Sequence, residues 1–219
     1  KEGEIIMDNY LTENIDTVIF DIGNVILHFD LDEVLPHFVS NEEEKNFLLK
    51  EVIHSPEWLS YALIDTGFLS REHAISIVED RTNHKNDSLI EDFWYNYNEY
   101  SFIDDKVLCL ILNLKKKGYS IYLLSNINEY TFKSIYDSKL FDIVDGYVLS
   151  YLEHQVKPYK SIYLTLLDRF KLKPNECLFI DDNKKNVETA RDLGMIGEVV
   201  TPDSYSSVYD VLEKNKINV

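Results

Sequence analysis

The chain has 219 residues, of which 45% are hydrophobic, and its 39 acidic and 22 basic side chains give a formal net charge of −17 at pH 7. This charge argues against a nucleic acid or an anionic membrane as a partner, because both require a basic protein face. No apolar run approaches the roughly 18 residues that a membrane-spanning helix needs. The length predicts one large domain, or a core that carries a smaller inserted domain.

The N-terminal residues 1–14 are acidic and contain no long apolar segment, so we do not expect them to be a signal peptide. The chain contains two cysteines, Cys109 and Cys177, and both lie in apolar runs. This placement favours buried, reduced thiols over a disulfide bond. Reduced thiols in turn predict a cytoplasmic location.

The first predicted strand is the apolar segment TVIFD at residues 17–21. It ends in Asp21, and Gly23 and Asn24 follow in what should be a turn. In open α/β sheets, ligands bind just beyond the carboxyl ends of the strands. Asp21 is therefore the first candidate site residue.

Residues 31–104 show helical patterns and no convincing strand. The clearest patterns are DEVLPHFVS, EEEKNFLLKEVI, REHAISIVED and SLIEDFWYNYNEY. They predict a helical domain inserted between the first strand and the rest of the sheet. Its aromatic side chains either pack in a core, which we favour, or line a substrate pocket. These side chains include Trp58, Phe93, Trp94, Tyr95, Tyr97 and Tyr100.

The remainder of the chain alternates between apolar strand patterns and helical patterns. Strands are predicted at 119–126, 147–150, 177–182 and 197–200, and helices at 106–118, 129–140, 161–172 and 185–194. Gly118 and Gly194 stand where helix C-caps are expected. This alternation predicts a doubly wound, mostly parallel, Rossmann-like α/β core with helices on both faces of the sheet.

Polar residues stand at the ends of several predicted strands and ahead of a predicted helix. Because the carboxyl ends of parallel strands meet at one edge of a sheet, we expect these side chains to lie together. Besides Asp21, the candidates are Ser125, Asn126, Lys157, Asp181 and Asp182.

The chemistry of these residues fits phosphoryl transfer. Asp21 can attack phosphorus as a carboxylate nucleophile and form an aspartyl-phosphate that water then cleaves. The acidic pair Asp181-Asp182 suits a hard cation such as Mg²⁺. A bound cation would also make the local potential positive, so that a phosphate could bind although the chain is acidic. Ser125 supplies a hydroxyl donor, and Lys157 would balance the charge of the nucleophile and the phosphate.

The four motifs VIFDIGNVI, LLSN, VKP and FIDDNKKNVETA resemble those of the haloacid dehalogenase superfamily of phosphohydrolases. The resemblance extends from about residue 15 to about residue 200, and it includes the helical insert as a C1-type cap. It implies a core formed by residues 1–30 and 105–219 and a cap formed by residues 31–104. It further implies Mg²⁺ as cofactor, a small phosphorylated metabolite as substrate, and a monomer or homodimer.

The resemblance also implies a role for each motif residue, and Asn186 takes a position where the superfamily often has a further acid. The implied catalytic residues are Asp21 and Lys157, the phosphate-binding residues are Ser125, Asn126 and Lys157, and the metal ligands are Asp21, Gly23 through its carbonyl, Asp181 and Asp182.

The chain departs from the superfamily at Gly23. Phosphatases of the superfamily generally carry a second aspartate two residues after the nucleophile, and this residue protonates the leaving oxygen. Gly23 keeps the carbonyl ligand but supplies no proton. General acid–base catalysis typically contributes about 10²–10⁴-fold to a rate, so the loss is large but leaves the other catalytic effects in place.

Three interpretations follow from Gly23, and we favour the first. The enzyme hydrolyses a phosphate whose leaving group needs little protonation, such as a sugar 1-phosphate, or whose proton comes from elsewhere. The FDIGNVI and LSN motifs support it, since they resemble a bacterial subgroup that includes an α-glucose-1-phosphate phosphatase. Alternatively, the chain binds phosphate ligands without turning them over. A metal-free 2-haloacid dehalogenase is disfavoured, since those enzymes lack the pair Asp181-Asp182.

Two further segments bear on the missing acid and on the substrate. His28 and Asp30 follow motif one, in a segment that we expect to form a flap. We expect them to contact the cap and solvent, and we consider a role of His28 in acid–base catalysis the less favoured alternative. Within the insert, Asp65-Thr66-Gly67 is the most turn-like segment. It is either a loop that reaches the active site or a plain turn between helices.

Overall fold

The computed structural model describes residues 15–54, 63–202 and 204–217. The predictions for residues 1–14 and for Trp58 lie outside these ranges. The described chain contains a five-stranded parallel sheet in the order β5-β4-β1-β6-β7 and a two-stranded antiparallel sheet of β2 and β3. The strands are β1 (Thr17–Phe20), β2 (Leu27–His28), β3 (Phe102–Ile103), β4 (Ser120–Ser125), β5 (Gly146–Leu149), β6 (Cys177–Asp181) and β7 (Ile196–Val199).

The α-helices follow the predicted alternation. They are α1 (Leu31–Val34), α2 (Glu42–Phe47), α3 (Arg71–Arg81), α4 (Asp87–Asn96), α5 (Asp105–Lys116), α6 (Glu129–Ile135), α7 (Leu140–Ile143), α8 (Ser150–Glu153), α9 (Lys160–Phe170), α10 (Lys184–Asp192) and α11 (Tyr205–Lys214). Short 3₁₀ or π segments occupy Leu35–His37, Leu48–Ile53, Tyr97–Tyr100 and Pro174–Glu176. Across the described ranges, none of the helices has the length and apolar character needed to cross a membrane.

The central strand β1 is buried along its whole length, and its side chains alternate between two hydrophobic layers. Val18 and Phe20 pack in the layer that contains residues of α5 and α11. Ile19 packs in the opposite layer, with residues of α9 and α10. A strand that is covered on both faces reads as a continuous apolar run, which is why the sequence pattern identified it. The doubly wound α/β prediction is confirmed.

The helical insert has a hydrophobic cluster of its own, in which Phe93 and Trp94 are buried. Tyr97 and Tyr100 pack against this cluster, whereas Tyr95 is largely exposed. Packing in a core, the favoured interpretation of the aromatic segment, therefore holds for Phe93 and Trp94. The limits 31–104 for a separate cap remain a prediction.

Three details differ from the predictions. The predicted helix at 129–140 is two helices, α6 and α7, separated by a turn that contains Asp137 and Ser138, both weak helix formers. Residues 31–104 contain strand β3, which pairs with β2. A two-residue strand is too short to produce a recognisable alternation of apolar and polar residues.

The third difference concerns Cys109, which is exposed, while Cys177 is buried and both are free thiols. The buried positions of α5 are Val107, Leu110, Ile111 and Leu114, which lie on one face of the helix. Cys109 falls outside this face although its sequence neighbours are apolar.

Candidate active site

The sheet order brings the predicted site residues to one edge. Asp21 directly follows the central strand β1, whose neighbours are β4, ending in Ser125, and β6, ending in Asp181. The backbone N–H of Asp21 donates to the carbonyl of Ile180 at 2.9 Å, which continues the pairing of β1 with β6. Since the three strands are parallel, their polar ends face the same space.

Lys157 lies between two of these carboxylates. Its Nζ is 2.8 Å from Oδ1 of Asp21 and 2.6 Å from Oδ2 of Asp181, and its side chain is 1% exposed. Burial by itself would lower the pKa of Lys157, but the two carboxylates raise it above its usual value. The ammonium group is therefore charged and fixed beside both acids.

Burial raises the pKa of the Asp21 carboxyl to about 7. Lys157 lowers this pKa, Asp181 raises it, and a hydrogen bond with the Ser125 hydroxyl lowers it. A cation bound next to Asp21 would favour its ionised form further, as a nucleophilic carboxylate requires.

Asp21, Asp181 and Asp182 each present an oxygen, and these oxygens lie within 4.8 Å of one another. One lysine does not balance three carboxylates. Oxygen donors with an excess of negative charge are the ligands that Mg²⁺ and other hard divalent cations prefer. The arrangement fits such an ion, which would also favour the ionised form of Asp182, whose pKa is raised chiefly by burial.

Asparagine side chains hold the two acids of the fourth motif. Nδ2 of Asn186 lies 3.0 Å from both Asp181 oxygens, and the backbone N–H of Asn183 donates to Oδ1 of Asp181 at 2.7 Å. Nδ2 of Asn24 donates to Oδ2 of Asp182 at 3.1 Å. Sequence reasoning did not assign Asn24 a role, although its left-handed φ of 58° is typical of asparagine in a turn.

Asn126 contributes through its side chain, whereas Gly23 offers only its backbone. The side-chain amide of Asn126 accepts from the N–H of Lys157 at 2.8 Å and donates to the Lys157 carbonyl at 2.9 Å, which fixes that residue. A Cβ atom built on Gly23 would meet nothing within 4 Å, so the position has room for a side chain. The roles predicted for these residues in phosphate and metal binding remain predictions.

The flap residues have structural partners. Nε2 of His28 lies 2.9 Å from a Glu33 oxygen, and its ring packs against Phe102 with centroids 4.8 Å apart. Asp30 caps α1 by accepting from the Asp32 N–H at 2.8 Å. These contacts agree with the favoured interpretation, in which the two residues serve the cap rather than the chemistry.

A cavity of about 220 Å³ opens beside the site. Most of its lining side chains are polar, and they come from the strand ends and from the helical insert. The lining consists of Gly23, Asn24, Leu27, Phe29, Asp65, Tyr97, Asn98, Ser101, Ser125, Asn126, Ile127, Asn128 and Thr131. Asp65 lines this cavity, and whether the Asp65-Thr66-Gly67 segment serves the active site stays a prediction.

Comparison with known families agrees with this geometry. The sequence model of the haloacid dehalogenase-like hydrolases matches residues 15–194. The chain belongs to this family. The match includes every site residue described above and the helical insert.

Curated relatives of this hydrolase share modest identity. A D-ribitol-5-phosphate phosphatase of Bacteroides thetaiotaomicron is 25% identical over 188 residues, which are 82% of this chain and 89% of that protein. The sesquiterpene phosphatase astK of Aspergillus oryzae is 30% identical over 95 residues, 43% of this chain and 48% of the relative. A bifunctional epoxide hydrolase 2 of Rattus norvegicus is 32% identical over 112 residues, and the match spans 19% of its length.

Solved structures share the fold of this hydrolase. A HAD family enzyme of Bacteroides thetaiotaomicron, in complex with magnesium and inorganic phosphate, has a TM-score of 0.72 at 22% identity and covers 90% of this chain and 99% of its own. An L-2-haloacid dehalogenase of Xanthobacter autotrophicus has a TM-score of 0.62 at 14% identity, with coverage of 94% and 85%. The fold is therefore shared by an enzyme that binds magnesium and phosphate and by a dehalogenase, so the fold alone does not identify the reaction.

Proposed function

We propose that this hydrolase is a Mg²⁺-dependent phosphatase that cleaves a small phosphorylated metabolite through a phospho-Asp21 intermediate. The observation that carries the proposal is the group of three carboxylates, Asp21, Asp181 and Asp182, beside the single buried ammonium of Lys157. A nucleophilic carboxylate with a cation site and a lysine at the same strand ends suits attack on a phosphate dianion.

The residues divide the work as follows. Oδ of Asp21 forms the new bond to phosphorus, while Lys157 offsets the charge of the carboxylate and of the phosphate oxygens. Ser125 and the backbone that follows it hold the phosphate. The Asn126 side chain keeps Lys157 in position through hydrogen bonds to the Lys157 backbone. Mg²⁺, held by Asp21, Asp181, Asp182 and the Gly23 carbonyl, would supply charge neutralisation at the phosphate.

We propose a sugar phosphate as the substrate class. The cavity presents carboxyl, amide and hydroxyl groups of Asp65, Asn98, Asn128 and Thr131, which suit a polyhydroxylated ligand. The D-ribitol-5-phosphate phosphatase relative acts on a phosphorylated polyol by its name. A sugar 1-phosphate is the member of this class that depends least on an acid at position 23, because its anomeric oxygen leaves readily.

Gly23 favours one other candidate, a protein that binds phosphate ligands without turning them over. The intact pair Asp21 and Lys157 argues against it, because a binding site gains nothing from a buried nucleophile with a raised pKa. A 2-haloacid dehalogenase needs no cation, so the carboxylate group argues against that chemistry as well.

Phosphate release from a metabolite panel tests the proposal. The panel contains sugar 1-phosphates, sugar 6-phosphates, nucleotides and an activated aryl phosphate, each with and without Mg²⁺. We expect Mg²⁺-dependent release that disappears in Asp21→Asn. Tight binding of phosphate and Mg²⁺ with no release from any compound would instead support the binding protein.

A further inference from the structure

The turn at Thr66 and Gly67, which directly follows Asp65, is fixed against the core helix α8. Nδ1–H of His154 donates to the carbonyl of Thr66 at 2.7 Å. A Cβ atom on Gly67, which has a φ of +69°, would lie 2.6 Å from the carbonyl oxygen of Tyr151. Only a glycine allows this close approach, so the turn is positioned by contact with the core.

Asp65 shares the 220 Å³ cavity with Gly23 and Ser125. Gly23 is two residues from the nucleophile and Ser125 ends β4, the strand beside β1, so the cavity that Asp65 lines borders the strand ends of the site. The volume beside Gly23 is open, since a Cβ there meets nothing within 4 Å. A leaving group that extended from phosphorus into this cavity would enter a space that both Gly23 and Asp65 line.

The surroundings of Asp65 suit a group that holds a proton near neutral pH. Its Oδ1 accepts from Nδ2 of Asn128 at 3.4 Å, and the same nitrogen lies 3.2 Å from the hydroxyl of Tyr97. Burial raises the pKa of Asp65 to about 7, and the hydrogen bond from Asn128 lowers it only in part. Among the residues that the structure describes, no cationic group lowers the pKa of Asp65.

We propose that Asp65 of the helical insert is the general acid that protonates the leaving oxygen, in place of the acidic side chain that is missing at Gly23. This inference rests on the proposed phosphatase function. It concerns a catalytic residue, since the carboxyl group would touch the reacting oxygen. It also extends the substrates to sugar phosphates whose leaving oxygen is an ordinary alkoxide.

The proton and electron balance is complete within the site. Asp21 forms a bond to phosphorus, the bond from phosphorus to the leaving oxygen breaks, and its electron pair goes to that oxygen. The oxygen takes the proton from the Asp65 carboxyl, which becomes a carboxylate. In the second half, the Asp65 carboxylate takes a proton from the water that attacks the phospho-Asp21, and the Asp21 carboxylate is released.

The test compares leaving groups rather than overall activity. Steady-state rates are measured for a sugar 6-phosphate, whose alkoxide needs a proton, and for p-nitrophenyl phosphate, whose leaving group does not. We expect Asp65→Asn to lower kcat for the sugar phosphate by about 10²–10⁴-fold and to change the aryl phosphate rate only a few-fold. The exposed carboxylate variant Asp80→Asn, on α3, is the charge-matched control and should change neither rate.

A second variant asks whether the proton donor can be moved. Because space is open at Gly23, the double variant Gly23→Asp/Asp65→Asn should recover part of the sugar phosphate activity. Should Asp65→Asn fail to fold, a series of alkyl and aryl phosphates on the wild-type chain decides. A shallow dependence of rate on leaving-group pKa supports an internal acid, and a steep one overturns it.

The outcomes separate this inference from the proposed function. Equal losses on both substrates, or no loss on either, would overturn the role of Asp65 while the phosphatase assignment stands. A wild-type chain that releases no phosphate from either compound, or an Asp21→Asn variant as active as wild type, would overturn the proposed function and this inference with it.

Discussion

The ammonium nitrogen of Lys157 lies 2.8 Å from Oδ1 of Asp21, and both side chains are almost entirely buried. The same nitrogen contacts Asp181 at 2.6 Å. One cation therefore contacts two buried carboxylates, and it lowers the pKa of Asp21, which burial raises. The same two ion pairs therefore affect both the stability of the core and the charge state of the nucleophile.

We expect Lys157→Met to lower both stability and activity. Removing one partner of a buried ion pair leaves an uncompensated charge and typically costs about 3–5 kcal/mol. Loss of the positive charge at the phosphate should reduce kcat by at least about 10²-fold. Denaturant titration without Mg²⁺ and phosphate release with Mg²⁺ measure the two effects.

Lys160→Met is the matched control, because the Lys160 side chain is 56% exposed and lies 3.7 Å from Asp192. Exposed ion pairs contribute about 0–1 kcal/mol, so this variant should behave like wild type. A Lys157→Met variant that is as stable and active as Lys160→Met would contradict the assigned role of Lys157.

Mg²⁺ should stabilise the protein through the three carboxylates. A ligand at 100 times its Kd adds about 2.7 kcal/mol to the free energy of unfolding. Asn24→Gly keeps a residue suited to the left-handed φ but removes the hydrogen bond to Asp182. We expect this variant to bind Mg²⁺ about 10–100-fold more weakly, as is typical when a partner of a metal ligand is lost.

Calorimetric titration with Mg²⁺ checks this prediction. Asn83→Gly is its control, since Asn83 also has a left-handed φ, of 53°, but lies in the turn between α3 and α4. Equal Mg²⁺ affinities for the Asn24 and Asn83 variants would show that the Asn24 amide does not position Asp182.

The raised pKa of Asp65 predicts how stability changes with pH. The ordinary pKa of an aspartate is about 3.9, and the folded chain raises that of Asp65 to about 7. Between these values the folded state keeps a proton that the unfolded state releases, so stability falls as the pH rises through this window. The Tm of Asp65→Asn minus that of wild type should therefore increase from about pH 4 to about pH 7 and then level off.

Thermal unfolding in Mg²⁺-free buffers tests this trend. Each kcal/mol moves the Tm by about 2–4 °C in a chain of this size, so we expect a gap of several degrees above pH 7. A constant difference for Asp65→Asn would mean that folding does not raise the pKa of Asp65.

Gly67 should be intolerant of a side chain. An alanine there would combine a left-handed φ of +69° with a contact of 2.6 Å to the Tyr151 carbonyl oxygen. Gly118 also has a positive φ, of +93°, but nothing lies within 4 Å of its Cβ position. Gly118→Ala should cost about 1 kcal/mol from conformation alone, and Gly67→Ala should cost more.

Activity distinguishes the two glycine variants further. Displacement of the turn would move Asp65 out of the cavity, so Gly67→Ala should also lose turnover, whereas Gly118→Ala should retain it. Equal unfolding free energies and equal rates would show that the turn adapts without disturbing the site.

The core and its motif residues could be predicted because their signals are local. Strand β1 is covered by helices on both faces, so its residues are uniformly apolar, and the polar residue that ends it is conspicuous. The sequence also indicated that α5 has an apolar face, but it did not show which residues belong to that face. Cys109 was wrongly predicted to be buried. A two-residue strand such as β3 has no periodic signal at all.

The sequence by itself determined the doubly wound core and the residue types at its strand ends, because hydrophobic period and turn chemistry act between neighbours along the chain. It also revealed that a glycine stands at position 23, where phosphatases of the superfamily generally carry an aspartate. Only the tertiary structure decided that Asn24 holds Asp182 and that Asp65 faces the space beside Gly23. Both contacts join residues far apart in the chain, which no local pattern records, and the placement of Asp65 depends in addition on how the turn at Gly67 packs on α8.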